Sequence, residues 1–148
     1  MKIVVLHGSP KGEQSVTMQY VRYLEKKLTS HTWSEVQTAS RISKLEQDAD
    51  EFARVIGLVR DADIVLWSFP LYHLLVPSQM KRFIELVAER GVQDSFFGKY
   101  SAAIMTSIHY YDHTARSYIH AVSEDLGMRF SGAFTPAMDD LQNEQTQT

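Results

Sequence analysis

Short unbroken apolar runs and apolar residues at helical spacing take turns along nearly the whole chain, and that alternation constrains the fold more than any other feature. Ile3-Val4-Val5-Leu6 is the first run, followed by Tyr20, Val21, Leu24 and Leu28 on one face of a helix starting near Ser15. Thr32 to Thr38 reads as a weaker strand with one open edge, since only Trp33 and Val36 are strongly apolar. Phe52, Val55, Ile56 and Val59 then fall at i, i+3, i+4 and i+7, with Asp48, Asp50 and Glu51 where a helix N-terminus favours negative charge. Ile64 to Trp67 is a buried strand. Met80, Phe83, Ile84, Val87 and Ala88 form the next helical stripe, opened by Pro77-Ser78 and closed by Gly91. Tyr100 to Thr106 reads as strand, and Ala115, Tyr118, Ile119 and Val122 mark a fourth helix between an Asp112 cap and Gly127. Met128 to Phe134 is the last strand. This βα order predicts an α/β fold: a doubly wound parallel sheet of five strands in the order 2-1-3-4-5, with right-handed crossovers and helices on both faces.

Such sheets bind ligands beyond the carboxyl ends of their strands, at the switch point between the first and third. Three loops therefore matter, namely His7 to Thr17, Ser68 to Ser78 and Thr106 to His113. Composition narrows what they can do. The 148 residues include no Cys, which excludes thiolate nucleophiles, redox CxxC pairs, Cys-ligated metals and a disulfide scaffold, and favours a cytoplasmic location. The net charge of −3 and the lack of a Lys/Arg run argue against a nucleic-acid or anionic-membrane partner. Lys2 to Leu6 is too short for a signal-peptide core or a membrane span. One domain is expected over residues 1–138, followed by a polar tail over 139–148. After Pro136 the only large apolar residue of the tail is Leu141, so the final helix usual in such a sheet is expected to be missing or cut short.

The first loop, Gly8-Ser9-Pro10-Lys11-Gly12-Glu13-Gln14-Ser15-Val16-Thr17, puts hydroxyls, one Lys and backbone N–H groups before a helix, which is a phosphate cradle in physical terms. It has neither the P-loop nor the G-x-G-x-x-G spacing, and no acidic residue ends the second strand to hold a ribose, so a dinucleotide fingerprint is excluded. The plainer alternative leaves Ser15 or Thr17 as a helix cap. A receiver domain would need carboxylates where His7-Gly8 and Ser68-Phe69 stand, and a low-molecular-weight phosphatase would need a Cys. The second loop, Phe69 to Pro77, is apolar where a solvated loop is expected, and suits either a flat aromatic ligand or a subunit contact. The third loop adds Thr106, Ser107, Tyr110 and Tyr111. Its His109 and His113 are four apart, but no third ligand is evident and no metal is expected.

Gly8-Ser9-Pro10-Lys11 with Ser15 and Thr17, Asp61-Ala62-Asp63 before a strand ending Ser68-Phe69-Pro70-Leu71-Tyr72, and Pro77-Ser78-Gln79-Met80-Lys81-Arg82-Phe83 together resemble the NADPH-dependent FMN reductases and quinone reductases. These are flavodoxin-like proteins, and the similarity runs from Met1 to about Pro136. The resemblance implies FMN as cofactor and NAD(P)H as co-substrate, with the FMN phosphate at Ser9, Lys11, Ser15, Val16 and Thr17. It also implies ring contacts at Pro70, Leu71, Tyr72, His73 and Leu74, and at Thr106, Ser107 and Ile108. No catalytic side chain is required, because the cofactor carries the hydride chemistry. The implied activity passes a hydride from the nicotinamide through FMN to a quinone or similar small acceptor. The alternatives are an electron-transfer module of a longer multi-centre redox protein and a flavin-binding domain without turnover. Leu71, Tyr72, Leu74, Leu75 and Val76 are more apolar groups than one flat ligand covers, and the resemblance agrees with them in implying a homodimer.

Overall fold

The alternation of Ile3, Val5 and His7 against Val4 and Leu6 puts apolar side chains on both faces of the first strand, as a central parallel strand requires. The computed structural model describes residues 1–71, 75–106 and 113–135, apart from the Glu13 side chain. The strands are β1 (Lys2–His7), β2 (Thr32–Gln37), β3 (Ile64–Pro70), β4 (Tyr100–Thr106) and β5 (Arg129–Phe134). All pair in parallel in the order β2-β1-β3-β4-β5, as the sequence predicts. The helices are α1 (Val16–Lys27), α2 (Ile42–Gln47), α3 (Ala49–Asp61), α4 (Ser78–Glu89) and α5 (His113–Asp125).

Two apolar clusters lie on opposite faces of the sheet. The larger joins Val4, Leu6, Val65, Trp67, Phe69 and Met105 to α3, α4 and α5. The smaller joins Ile3, Val5, Leu66 and Ile104 to Val21 of α1. Trp67 is fully buried, stacks on Phe96 and donates its indole N–H to Ser123 Oγ at 3.2 Å, so its one polar atom is satisfied. Ser15 caps α1 and Asp48 caps α3, the latter accepting from the N–H groups of Asp50 and Glu51 at 3.0 and 3.2 Å. Gly91 and Gly127 follow α4 and α5 with φ of 65° and 78°, the left-handed geometry that ends a helix at glycine.

Two helical details differ from the sequence reading. The buried stripe of α4 is Met80, Phe83, Leu86 and Val87, with Ile84 half-buried and Ala88 exposed. The helix is rotated so that its larger side chain, Leu86, reaches the core. The second difference is α2, which the periodicity does not predict, because only Ile42 and Leu45 are apolar in six residues. Tertiary contacts form it. Leu45 is buried, Arg90 at the end of α4 donates to the carbonyls of Leu45 and Glu46 at 3.2 and 2.7 Å, and Arg82 of α4 joins Glu46 to Glu85 and Glu89 of its own helix. Asp112 and residues 136–148, including the expected polar tail, lie outside the described residues.

Candidate functional site

The carboxyl ends of β1, β3 and β4 bring parts of all three loops together. Gly8 follows β1 and donates its N–H to Ser68 O at 2.7 Å, which clamps the first loop to β3. A Cβ at Gly8 would lie 2.5 Å from Met80 Cε and 3.0 Å from Phe69 Cβ. Met80 ends in a flexible methyl that can move, whereas Phe69 Cβ is fixed by its strand. Replacing Gly8 by Ala is therefore expected to destabilise the fold by about 1–3 kcal/mol, the scale of an overpacked core. Urea unfolding measures it, and an unchanged midpoint would show that the loop shifts freely.

From Gly8 the chain winds tightly. Ser9 accepts twice, from Lys11 N at its hydroxyl (3.2 Å) and from Gly12 N at its carbonyl (3.1 Å). Ser15 N–H donates to Gly12 O at 3.2 Å, and the Ser15 hydroxyl accepts from Met18 N at 3.3 Å. Ser9 and Ser15 are buried, Val16 is half-buried and Lys11 is exposed. Val16 and Thr17 open a twelve-residue helix, so their N–H groups have no carbonyl one turn back to bind. These amides, the positive end of the helix dipole and the nearby lysine make an anion-binding concavity. The Thr17 hydroxyl already has a protein partner. Thr17 is buried, and its Oγ1 lies 2.9 Å from Thr106 Oγ1, tying the first turn of α1 to the end of β4.

Pro70 is buried at the end of β3, opposite Thr106 in the register. Leu71 is half-buried and continues this pairing, donating its N–H to Thr106 O at 2.9 Å. Tyr72, His73 and Leu74 of the second loop, and Ser107 and Ile108 of the third, lie outside the described residues. Beyond them Leu75 is exposed, while Val76 and Pro77 are buried ahead of α4. A cavity of about 430 Å³ opens between Pro10 and this segment, floored by Val76, Pro77, Ser78, Gln79 and Lys81. Its lining is largely apolar, which suits a flat heterocycle. His109 lies outside the described residues. Among the described ones, no group of three His, Asp or Glu side chains could hold a metal.

His7, absent from the expected site residues, is the last residue of β1 and stands directly before the first loop. It is buried at the end of β1, and its carbonyl accepts from Thr38 N (3.1 Å), Ala39 N (3.2 Å) and Thr38 Oγ1 (2.6 Å). Burial, with Arg22 in second place, lowers its pKa to about 4, so the ring is neutral near pH 7. The sequence signal was available: one polar residue extends the Ile3, Val5 alternation of a central strand.

A five-stranded parallel sheet with a glycine-led anion loop at its switch point and an apolar slot beside it defines a flavodoxin-like domain. Its residues fit FMN, because the free amides of α1 suit a phosphate and the slot by Pro10 suits a ring system. Residues 1–141 match the family model of the NADPH-dependent FMN reductases, and the chain belongs to that family. It is an NAD(P)H-dependent oxidoreductase, with FMN as cofactor. No curated protein matches the sequence. Solved structures with the same fold include an NADH:FMN oxidoreductase, EMOB, in its apo form, with 14% identity and a TM-score of 0.77 over 98% of this chain and 81% of that one. An NADPH-quinone reductase from P. pentosaceus is 12% identical with a TM-score of 0.75 over 99% of this chain and 91% of that one. FerB, an NAD(P)H:acceptor oxidoreductase from Paracoccus denitrificans, is 19% identical with a TM-score of 0.67 over 87% and 74%.

Proposed function

We propose that this chain draws reducing equivalents from NAD(P)H and delivers them through FMN to a quinone or a similar small electron acceptor. The observation that carries the reading is the cavity between Pro10 and the Leu75 to Lys81 segment. It adjoins the anion loop and is large and apolar enough for a second flat molecule beside a flavin ring. FMN, when bound, supplies the hydride chemistry between nicotinamide and acceptor. The residues hold and orient. The first-turn amides of Val16 and Thr17, with Ser9 and Lys11, take the phosphate. Ser15 holds the helix end in place through its cap, and Thr17 does so through Thr106. Pro70 and Leu71 flank the ring, and Tyr72, His73, Leu74, Ser107 and Ile108 complete its surroundings on this reading. The quinone reductase and the acceptor oxidoreductase among the solved structures of this fold support the choice of acceptor.

The flavodoxin-like domain comprises residues 1–138, and the active form is a homodimer in the cytoplasm. Its interface uses the apolar second loop, where Leu75 is exposed and Leu71 half-buried. No helix among the described residues is long and apolar enough to cross a membrane. Anaerobic stopped-flow absorbance tests the activity. NADPH or NADH is expected to bleach the flavin band within a catalytic turnover, and a benzoquinone added in a second mix is expected to restore it. A flavin that binds but is bleached by neither nicotinamide would reject turnover. A reduced flavin that the quinone leaves bleached would reject the acceptor class alone.

A further inference from the structure

Three buried side-chain atoms at the carboxyl edge of the sheet have no hydrogen-bond partner among the described residues: His7 Nε2, Gln37 Oε1 and Ser68 Oγ. They are neighbours. His7 pairs with Gln37 on one side and with Ser68 on the other, so the three side chains stand in one row on one face of three adjacent strands. It is the face that α1 covers, continuing the line of Ile3, Val5 and Leu66 beneath Val21. The nearest polar groups do not serve them. Gln37 turns its amide nitrogen to Met18 Sδ at 3.9 Å, and His7 Nε2 lies 3.9 Å from Glu35 Oε1, beyond hydrogen-bond reach.

An unpartnered buried polar group costs about 1–3 kcal/mol, so three side by side call for a shared partner. Their chemistry names it. The amide oxygen accepts only, the hydroxyl does both, and a neutral imidazole nitrogen does either according to its tautomer. Together they match the two donors and two acceptors of one water molecule, and buried waters commonly make about three such bonds. We propose that Gln37, His7 and Ser68 form a buried hydration site that holds one ordered water beneath α1, at the floor of the first loop. Gln37 Oε1 lies 3.8 Å from where a Cβ of Gly12 would stand, so this water ties the ends of β2, β1 and β3 to the turn of the anion loop. His7 and Gln37 are then positioning residues for that loop. Strand register alone sets this site, whichever acceptor the protein uses.

Oxygen-17 magnetic relaxation dispersion of the full chain counts long-lived internal waters and tests the site directly. The double variant Gln37→Leu/Ser68→Ala is expected to lose one such water. Ser101→Ala removes the one further such atom among the described residues, which stands opposite Val65 on the other face, and is expected to lose none. An unchanged count in the double variant would overturn the site, as would an equal loss in Ser101→Ala. Should the double variant fail to fold, Ser68→Ala removes a single oxygen atom and is read in the same way.

Discussion

Lowering the pH from about 6.5 to about 4 is expected to cost the folded protein about 3 kcal/mol through His7 alone, at about 1.4 kcal/mol per pH unit of displaced pKa. The folded pKa lies below the unfolded one, so the unfolded chain takes up a proton across this window while the folded chain does not. Stability is therefore full above pH 6.5, falls through the window and levels off once the buried ring titrates near pH 4. The groups around the ring divide. Arg22 of α1 opposes the charged form, and the Glu35 carboxylate on β2 is the nearest group that would favour it. Burial, with Arg22 acting the same way, outweighs the carboxylate, because the ring is almost wholly enclosed. Urea midpoints taken from pH 7.5 to 4.5 measure the slope, and His7→Asn is expected to remove this contribution. A wild-type protein equally stable at both ends would mean that the folded protein already accommodates the imidazolium.

The order of the elements is legible in the sequence because the central strands and the long helices bury enough apolar residues to show their period. β1 and β3 are continuous apolar runs because both their faces are covered, and Asp48 and Ser15 act as caps from their position alone. What escapes the period is set by other elements. The six residues of α2 gain their order from Arg82 of α4 and Arg90 at its end, about forty positions away in sequence. The place of Leu86 rather than Ala88 in the core likewise depends on how α4 is rolled against β3 and α3, and helical spacing permits either.

The site is legible at the level of loops and less so at the level of atoms. Gly8, Ser9 and Lys11 sit where a strand must turn into a helix start, so their neighbourhood follows from βα order. The direction of a hydroxyl does not. The resemblance puts Thr17 at the phosphate and helix logic makes it a candidate cap, and only when β4 is placed beside α1 does its oxygen meet Thr106, 89 residues on. The row of Gln37, His7 and Ser68 is likewise invisible in one dimension, because it exists only once three strands take their register. A one-residue slip of β2 would turn Gln37 to the other face and dissolve it.

FMN is expected to bind about 100-fold more tightly than riboflavin, a difference of about 3 kcal/mol. The two ligands differ only in the phosphate, so the comparison isolates the first loop. A hydrogen bond to a charged group is worth about 1.5–3 kcal/mol, and the loop offers the amides of Val16 and Thr17, the Ser9 hydroxyl and the Lys11 ammonium. Their sum is reduced because Lys11 is exposed and screened by salt. Removing single groups should sort them. Lys11→Ala is expected to weaken FMN more at low salt than at high salt and to leave riboflavin unaffected. Thr17→Ala keeps its backbone amide and loses the bond to Thr106, so its loss is expected in urea stability more than in discrimination between the two ligands. Flavin fluorescence quenching measures the affinity of each protein for both ligands. Equal binding of FMN and riboflavin by the wild type would mean that the amides at the start of α1 hold no phosphate, and the anion loop would then be no more than the turn that joins β1 to its helix.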